Sequence, residues 1–157
     1  MNIKIGIVGG GISGLMLGCI LKQSSIDCII FERSLGISEY GAGISISPNA
    51  LPLLDHIKVL DSLRNVSCRP LNIVFRKPNG LALTNISTSK LGKLITMNRG
   101  ELVKTLYNRY LDLNGEIYFN HELEYFDNNE ISLSFRNSKK YKLDHIVGCD
   151  GIKSVIR

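Results

Sequence analysis

An α/β fold with a mostly parallel sheet is predicted by three features of this 157-residue chain. Compact apolar runs at Ile3 to Val8, Asp27 to Phe31 and His145 to Cys149 fit strands buried on both faces. Between the first two, Ile12, Leu15, Met16, Cys19 and Ile20 share one helical stripe that ends at Lys22, Gln23 and Ser24. At the junction stands Gly9-Gly10-Gly11-Ile12-Ser13-Gly14, a glycine turn leading from strand to helix. Strand, helix and strand make a βαβ unit whose crossover is right-handed.

The later elements follow from local signals. Glu32 to Gly43 is a glycine-containing loop, and Ser47-Pro48-Asn49 precedes a second helix. That helix is expected to start at Ala50, where Pro52 is tolerated in the first turn, and to carry Leu53, Leu54, Ile57 and Leu60 inward. Leu71 to Phe75 and Leu81 to Leu83 flank Pro78-Asn79-Gly80, which predicts a hairpin. Ser87 to Lys93 has no period and reads as a connection. Asn98 with Glu101 resembles a capping box for a helix whose inner face is Leu102, Val103, Leu106, Tyr110 and Tyr107, with Gly115 as its stop. Ile117 to Phe119 reads as a strand, and Ile131, Leu133 and Phe135 alternate with polar residues as in a half-exposed strand. Asp127-Asn128-Asn129 and Asn137-Ser138 supply turns, and Gly151 onward begins a helix. The expectation is one domain over residues 1–157, truncated at its C-terminus, because parallel strands need helices over both faces.

Bulk composition excludes several classes. With 44% hydrophobic and 21% charged residues, the chain is globular rather than disordered. Its net charge of +5 forms no dense basic stripe; Arg136 to Lys142 reads as a solvated turn, so nucleic acid is not an expected partner. No apolar stretch is long enough for an integral membrane segment, and no signal peptide is expected, since the first strand begins within three residues of Met1. Cys19, Cys28, Cys68 and Cys149 form no C-x-x-C pair, which suits a reducing, cytoplasmic setting. His56, His121 and His145 lack metal-ligand spacing, and no metal is expected.

The glycine turn carries the chemistry. Gly9 permits a tight exit from the strand, Gly11 lets backbone approach a pyrophosphate, and Gly14 lets the helix pack closely. The N–H groups of Ile12, Ser13 and Gly14 open the helix and face the phosphates, aided by the helix dipole. Glu32, at the end of the second strand, is placed to accept the adenosine-ribose hydroxyls, and its charge disfavours a 2′-phosphate. Arg33 has two readings, across the adenine or out to water. Asp150, after a strand, is either a ligand contact or a helix cap. Arg99 at a helix start suits a phosphate, with a surface ion pair as the alternative. Gly41 and Gly43 either relieve crowding against something flat or simply make a loop.

In these segments the chain resembles the FAD-dependent aromatic-ring monooxygenases related to p-hydroxybenzoate and salicylate hydroxylases. The resemblance spans Gly9 to Gly14, Glu32 with Arg33, Gly41-Ala42-Gly43-Ile44 with Ser47-Pro48-Asn49-Ala50, Arg99, and Asp150-Gly151 with Ser154 and Arg157. It implies a Rossmann-like FAD-binding domain, with Gly41, Ala42 and Gly43 passing the flavin, Arg99 near the phosphate and ribityl region, and Asp150 by the pyrophosphate. It implies NADH or NADPH as reductant, oxygen as co-substrate, and hydroxylation or epoxidation of an aromatic or other electron-rich small molecule. It also implies a later Gly-Asp motif and a substrate domain, which would belong to a further C-terminal portion of the polypeptide. Catalytic residues are not identified, since the flavin carries the chemistry. The competing readings are a non-catalytic dinucleotide-binding remnant and an NAD-dependent dehydrogenase.

Overall fold

The computed structural model describes residues 3–37, 41–92 and 94–157, without the side chains of residues 90 and 91. The chain divides into two compact units, 1–39 with 103–157, and 40–102.

The first unit is built on strands β1 (Ile5–Val8), β2 (Cys28–Phe31), β7 (Glu116–Tyr118) and β11 (His145–Gly148). Their order is β11-β1-β2-β7 and every pairing is parallel. All four residues of β2 are buried, because the sheet is covered on both sides. Cys28 and Ile30 face helices α1 (Ile12–Gln23) and α4 (Arg99–Asp112). The Tyr110 hydroxyl lies 3.0 Å from the Cys28 carbonyl oxygen, and the Cys19 thiol reaches the Leu106 carbonyl. Ile29 and Phe31 face the other way, into a core with Val8, Leu123, Leu133, Phe135 and Leu143. That side is closed by an antiparallel meander of β8 (Leu123–Asp127), β9 (Ser132–Phe135) and β10 (Lys140–Lys142). Thus helices cover one face, and a small sheet takes the place of helices on the other.

Several sequence expectations need adjustment in this unit. Leu15 and Cys19 of the apolar stripe are fully buried on α1 as expected, but they share that face with Gly14 and Gly18, because the glycines set the closest approach. Gly18 lies against the Tyr110 ring and Ile30, so Ile12, Met16 and Ile20 are only partly covered. At the end of α4 the left-handed residue is Asn114 (φ 56°), while Gly115 is small because a side chain there would strike the Tyr110 ring. Strand β11 lies at the sheet edge and is half exposed, not buried. The residues from Gly151 onward form turns, not a helix. Lys140–Lys142, expected as part of a solvated turn, pairs with β9 as strand β10.

The second unit contains two antiparallel pairs, β3 (Gly43–Ile46) with β6 (Ile95–Asn98), and β4 (Asn72–Arg76) with β5 (Ala82–Ser87). The β4–β5 hairpin turns at Gly80 (φ 84°), where the Pro78-Asn79-Gly80 signal placed it. The expected second helix is two helices, α2 (Leu51–His56) and α3 (Leu60–Asn65), separated at Lys58 (φ 61°). Within α2 the buried face is Leu51 and Leu54, which leaves Leu53 outward and 50% exposed, whereas Leu54, Ile57 and Leu60 are buried as expected. Asn98 caps α4 by accepting the Gly100 N–H at 2.7 Å. A short 3-10 turn covers Thr88–Leu91 within the expected connection; its residue Lys93 lies outside the described residues.

Candidate functional site

The order of the parallel sheet fixes where a ligand is received. From β1 the chain moves to β2 on one side and returns much later as β11 on the other. The crevice beyond the carboxyl ends of β1 and β11 is therefore the sheet's switch point. A cavity of about 400 Å³ opens there, lined by Ser13 at the start of α1 and by the segment carrying Cys149, Asp150, Ser154 and Arg157.

Each glycine of the turn meets a different environment. Gly9 has φ 109°, and a side chain on it would strike the Cys149 carbonyl oxygen. A side chain on Gly14 would strike the Gly9 carbonyl oxygen, so α1 can start this close to β1 only with glycine there. Gly11 is the opposite case: a side chain would meet nothing within 4 Å. It is the N-cap of α1, has no side-chain hydrogen bond to the helix, and is followed by no acidic residue in the first turn. The first-turn amides of Ile12, Ser13 and Gly14 lack intrahelical acceptors, and the dipole there is positive. Open space, free donors and positive potential together suit an anion such as a pyrophosphate.

Glu32 emerges from β2 beside this turn. Its Oε2 accepts the Gly10 N–H at 2.6 Å, and its Oε1 accepts the Ser34 N–H at 2.9 Å and the Ser34 hydroxyl at 2.8 Å. Three donors occupy three of roughly four acceptor sites of a carboxylate, and the Ser34 hydroxyl is the one free to rotate away for an incoming donor. A side chain at Gly10 would sit 3.1 Å from Glu32 Oε2 and from Ile117 Cδ1, close enough that these side chains would have to shift by a few tenths of an ångström. Arg33 is exposed to solvent.

Asp150 closes the crevice from the other side. Its Oδ2 accepts the Val155 N–H at 2.8 Å, while its Oδ1 is buried with no hydrogen-bond partner. A buried carboxylate oxygen without a donor is costly. Asp150 lines the cavity, and a donor that reached this covered oxygen, from a ligand or a bridging water, would remove that cost.

In the second unit, Gly41, Ala42 and Gly43 come together with Arg99. Arg99 N–H donates to the Ala42 carbonyl at 3.2 Å, Gly43 pairs with Asn98, and a side chain on Gly41 would meet Arg99 Cβ at 3.1 Å. The stem of Arg99 therefore lies across Gly41. Gly43 borders open space, with only the Met97 carbonyl at 3.8 Å. The sequence-derived candidates thus form two groups: Gly9 to Gly14, Glu32, Arg33 and Asp150 in the first unit, and Gly41 to Gly43 with Arg99 in the second.

Two participants escaped the sequence reading, Gly10 and Ser34. Gly10 was hidden inside an unbroken glycine triplet, and its amide's bond to Glu32 is a tertiary contact. Ser34 follows the acid by two residues, a spacing at which a hydroxyl commonly closes a local turn. Among the described residues, no group of three or more His, Cys, Asp or Glu is placed to hold a metal ion. Among the same residues, no helix is long and apolar enough to cross a membrane.

The FAD binding domain family matches residues 2–157. FAD-dependent monooxygenase pytG of Aspergillus terreus is 28% identical over 99% of this chain and 49% of its own length. FAD-dependent monooxygenase esdpE of Penicillium shearii is 32% identical over 99% of this chain and 34% of its own length. Among solved structures, tetrameric 2-methyl-3-hydroxypyridine-5-carboxylic acid oxygenase superposes with a TM-score of 0.88 at 27% identity, covering 99% of this chain and 41% of that one. p-Nitrophenol 4-monooxygenase PnpA from Pseudomonas putida shares the fold, with a TM-score of 0.83 at 20% identity over 99% of this chain and 43% of that one. The chain spans between a third and a half of the length of these curated relatives. With a match over residues 2–157 and a crevice at the switch point of its parallel sheet, this chain belongs to the FAD binding domain family.

Proposed function

We propose that residues 1–157 are the N-terminal FAD-binding portion of a flavin monooxygenase that acts on an aromatic or other electron-rich small molecule. The observation that carries this reading is the Gly9 to Gly14 turn, open over Gly11 and tied to Glu32, at the mouth of the β1–β11 crevice. The amides of Ile12, Ser13 and Gly14 hold the pyrophosphate, and Glu32 accepts the ribose hydroxyls in place of the Ser34 hydroxyl. Arg33 lies at the adenosine end, and Asp150 presents Oδ1 to a donor on the cofactor or on water beside it. Gly41, Ala42, Gly43 and Arg99 form a second contact set, in which the Arg99 guanidinium pairs with the cofactor's phosphate or ribityl region.

When bound, FAD supplies redox chemistry: reduction by NADH or NADPH, and use of oxygen to place one oxygen atom on the substrate. The described residues bind, orient and neutralise; they need no nucleophile of their own. The family match and the relatives' names support this reading, and the relatives' greater length supports a further C-terminal portion carrying the rest of the substrate site. Four free cysteines support a reducing, cytoplasmic setting.

The test is the visible absorption spectrum of the purified chain after adding FAD and removing unbound dye, followed by NAD(P)H oxidation by the complete polypeptide. Retained stoichiometric flavin and oxidation stimulated by a phenolic substrate are expected. Tight binding of NAD without FAD would instead favour a dehydrogenase. A second reading, a binding module that holds FAD without turnover, is favoured by the chain's short span relative to its relatives. Substrate-stimulated oxidation by the 157-residue chain alone would overturn it.

A further inference from the structure

His121 has no role in the reading above, yet its backbone pairs with Glu32 and its side chain makes two hydrogen bonds and four ring contacts. Three backbone hydrogen bonds clamp the segment after β2 to the segment after β7. Glu32 N–H donates to Tyr118, His121 N–H donates to the Glu32 carbonyl, and Asn120 N–H donates to the Ser34 carbonyl, each at 2.9 Å. The clamp needs Asn120 in a left-handed conformation, φ 57°, which the backbone does not favour unaided.

The His121 side chain holds that bend. Its Nδ1 lies 2.7 Å from the Phe119 carbonyl and its Nε2 lies 3.2 Å from the Tyr141 hydroxyl. A carbonyl only accepts, so Nδ1 carries the proton, and Nε2 accepts from Tyr141. The ring is packed among Phe31, Tyr118, Phe135 and Tyr141, with centroids 5.0 to 5.8 Å away. Asn137 adds a brace from the β9–β10 turn by donating its side-chain N–H to the Asn120 carbonyl at 2.8 Å. Through these contacts the meander is fastened to the stretch of chain that carries Glu32 and Ser34.

We propose that His121 is a positioning residue for the ribose-binding acid: by fixing the 119–121 bend it holds the Glu32 main chain where the carboxylate reaches the Gly10 amide. The cofactor half of this inference rests on the function proposed above; the positioning half does not. His121 acts through Glu32 and touches no part of the glycine turn itself.

Two measurements on the 157-residue chain test it. The first needs no cofactor. Gly10 N–H exchange and chemical shift are followed by NMR in His121→Phe, which keeps the ring packing and removes both side-chain hydrogen bonds. Gly10 is expected to lose protection toward the level seen in Glu32→Ala, which removes the acceptor outright. Tyr141→Phe, which removes only the outer bond and is the milder change should His121→Phe not fold, is expected to shift Gly10 in the same direction by less. His121→Asn, whose carboxamide can donate to the Phe119 carbonyl, is expected to restore part of the protection. An unchanged Gly10 signal in whichever of the first two variants folds would overturn the positioning role.

The second measurement is FAD affinity across the cycle of His121→Phe, Glu32→Gln and the double variant. His121→Phe is expected to weaken FAD about five- to tenfold in the parent and to have almost no effect in the Glu32→Gln background. Equal losses in both backgrounds would mean that His121 does not act through Glu32. If Gly10 responds to His121→Phe while Glu32→Gln leaves FAD affinity unchanged, the positioning stands and the adenosine site has been misplaced.

Discussion

Glu32 Oε2 accepts the Gly10 amide at 2.6 Å, so the acid that ends β2 is part of the glycine turn's own architecture. A charge-assisted bond of this length is among the stronger hydrogen bonds a protein makes. Glutamine at this position keeps the shape but replaces one oxygen by an NH2 group. Either Gly10 N–H or the two Ser34 donors must then face a donor. Glu32→Gln is expected to weaken FAD by about 1–3 kcal/mol, read as a shift in a flavin-fluorescence titration, with the circular-dichroism spectrum retained. Unchanged affinity in a folded protein would place the adenosine elsewhere.

Gly11 and Gly14 separate binding from folding. Alanine at Gly14 would collide with the Gly9 carbonyl, a backbone atom that cannot swing aside. Gly14→Ala is expected to cost about 1–3 kcal/mol of stability, measured by urea unfolding. Gly11 has φ −77°, which any residue adopts, and nothing lies within 4 Å of an added carbon. Gly11→Ala is therefore expected to leave the urea midpoint within about 0.5 kcal/mol of the parent while obstructing the pyrophosphate. A Gly11→Ala protein that binds FAD normally would show that the phosphates do not approach this backbone.

The buried thiols predict how stability changes with pH. Burial pushes the Cys19 thiol from its ordinary 9.0 up to about 12, and burial likewise raises Cys28 and the Tyr110 hydroxyl that touches it. The folded protein holds these protons more tightly than the unfolded chain does. Their stabilising contribution is complete below the unfolded thiol value and is lost as pH rises through the folded one. Urea midpoints are expected to be flat up to about pH 9 and to fall from there toward pH 12. Iodoacetamide should label exposed Cys68 in the native protein and reach Cys19 only on unfolding. A midpoint unaffected by alkali would mean that the pocket between α1, β2 and α4 is open to water.

Local signals made much of the fold legible before any coordinates. The β1–α1–β2 unit, the Pro78-Asn79-Gly80 hairpin and the Asn98 cap were readable because each is fixed by residues adjacent in the chain. Strands β3 and β6 were not readable, since Gly43–Ile46 and Ile95–Asn98 are short and become strands only by pairing with each other at sequence separations of 49 to 55. Strand β8 was hidden for another reason: its partner β9 is only one turn away, but Glu124 and Tyr125 are both exposed and the register shift between Leu123 and Tyr125 breaks the alternation. In the site, the glycine turn and Glu32 could be named from spacing. The grip of Glu32 on Gly10, the 119–121 bend and the orphan oxygen of Asp150 are tertiary relationships that no window of sequence contains.

Asp150 gives the sharpest test of the crevice. Its Oδ2 already accepts the Val155 N–H, so the unpartnered Oδ1 contributes nothing to the fold in the absence of a ligand donor. Asparagine keeps one oxygen for Val155 and places an NH2 group where Oδ1 stood. In the chain without cofactor, Asp150→Asn should therefore leave stability unchanged or raise it, because a buried charged acceptor without a partner has been removed. In the presence of FAD the same substitution replaces an acceptor by a donor facing the cofactor, and affinity should fall by about tenfold or more. Calorimetric titration with FAD beside urea unfolding of the cofactor-free chain measures both. Lower stability without FAD, at unchanged affinity, would make Asp150 a structural cap for the 151–155 turn and remove it from the site.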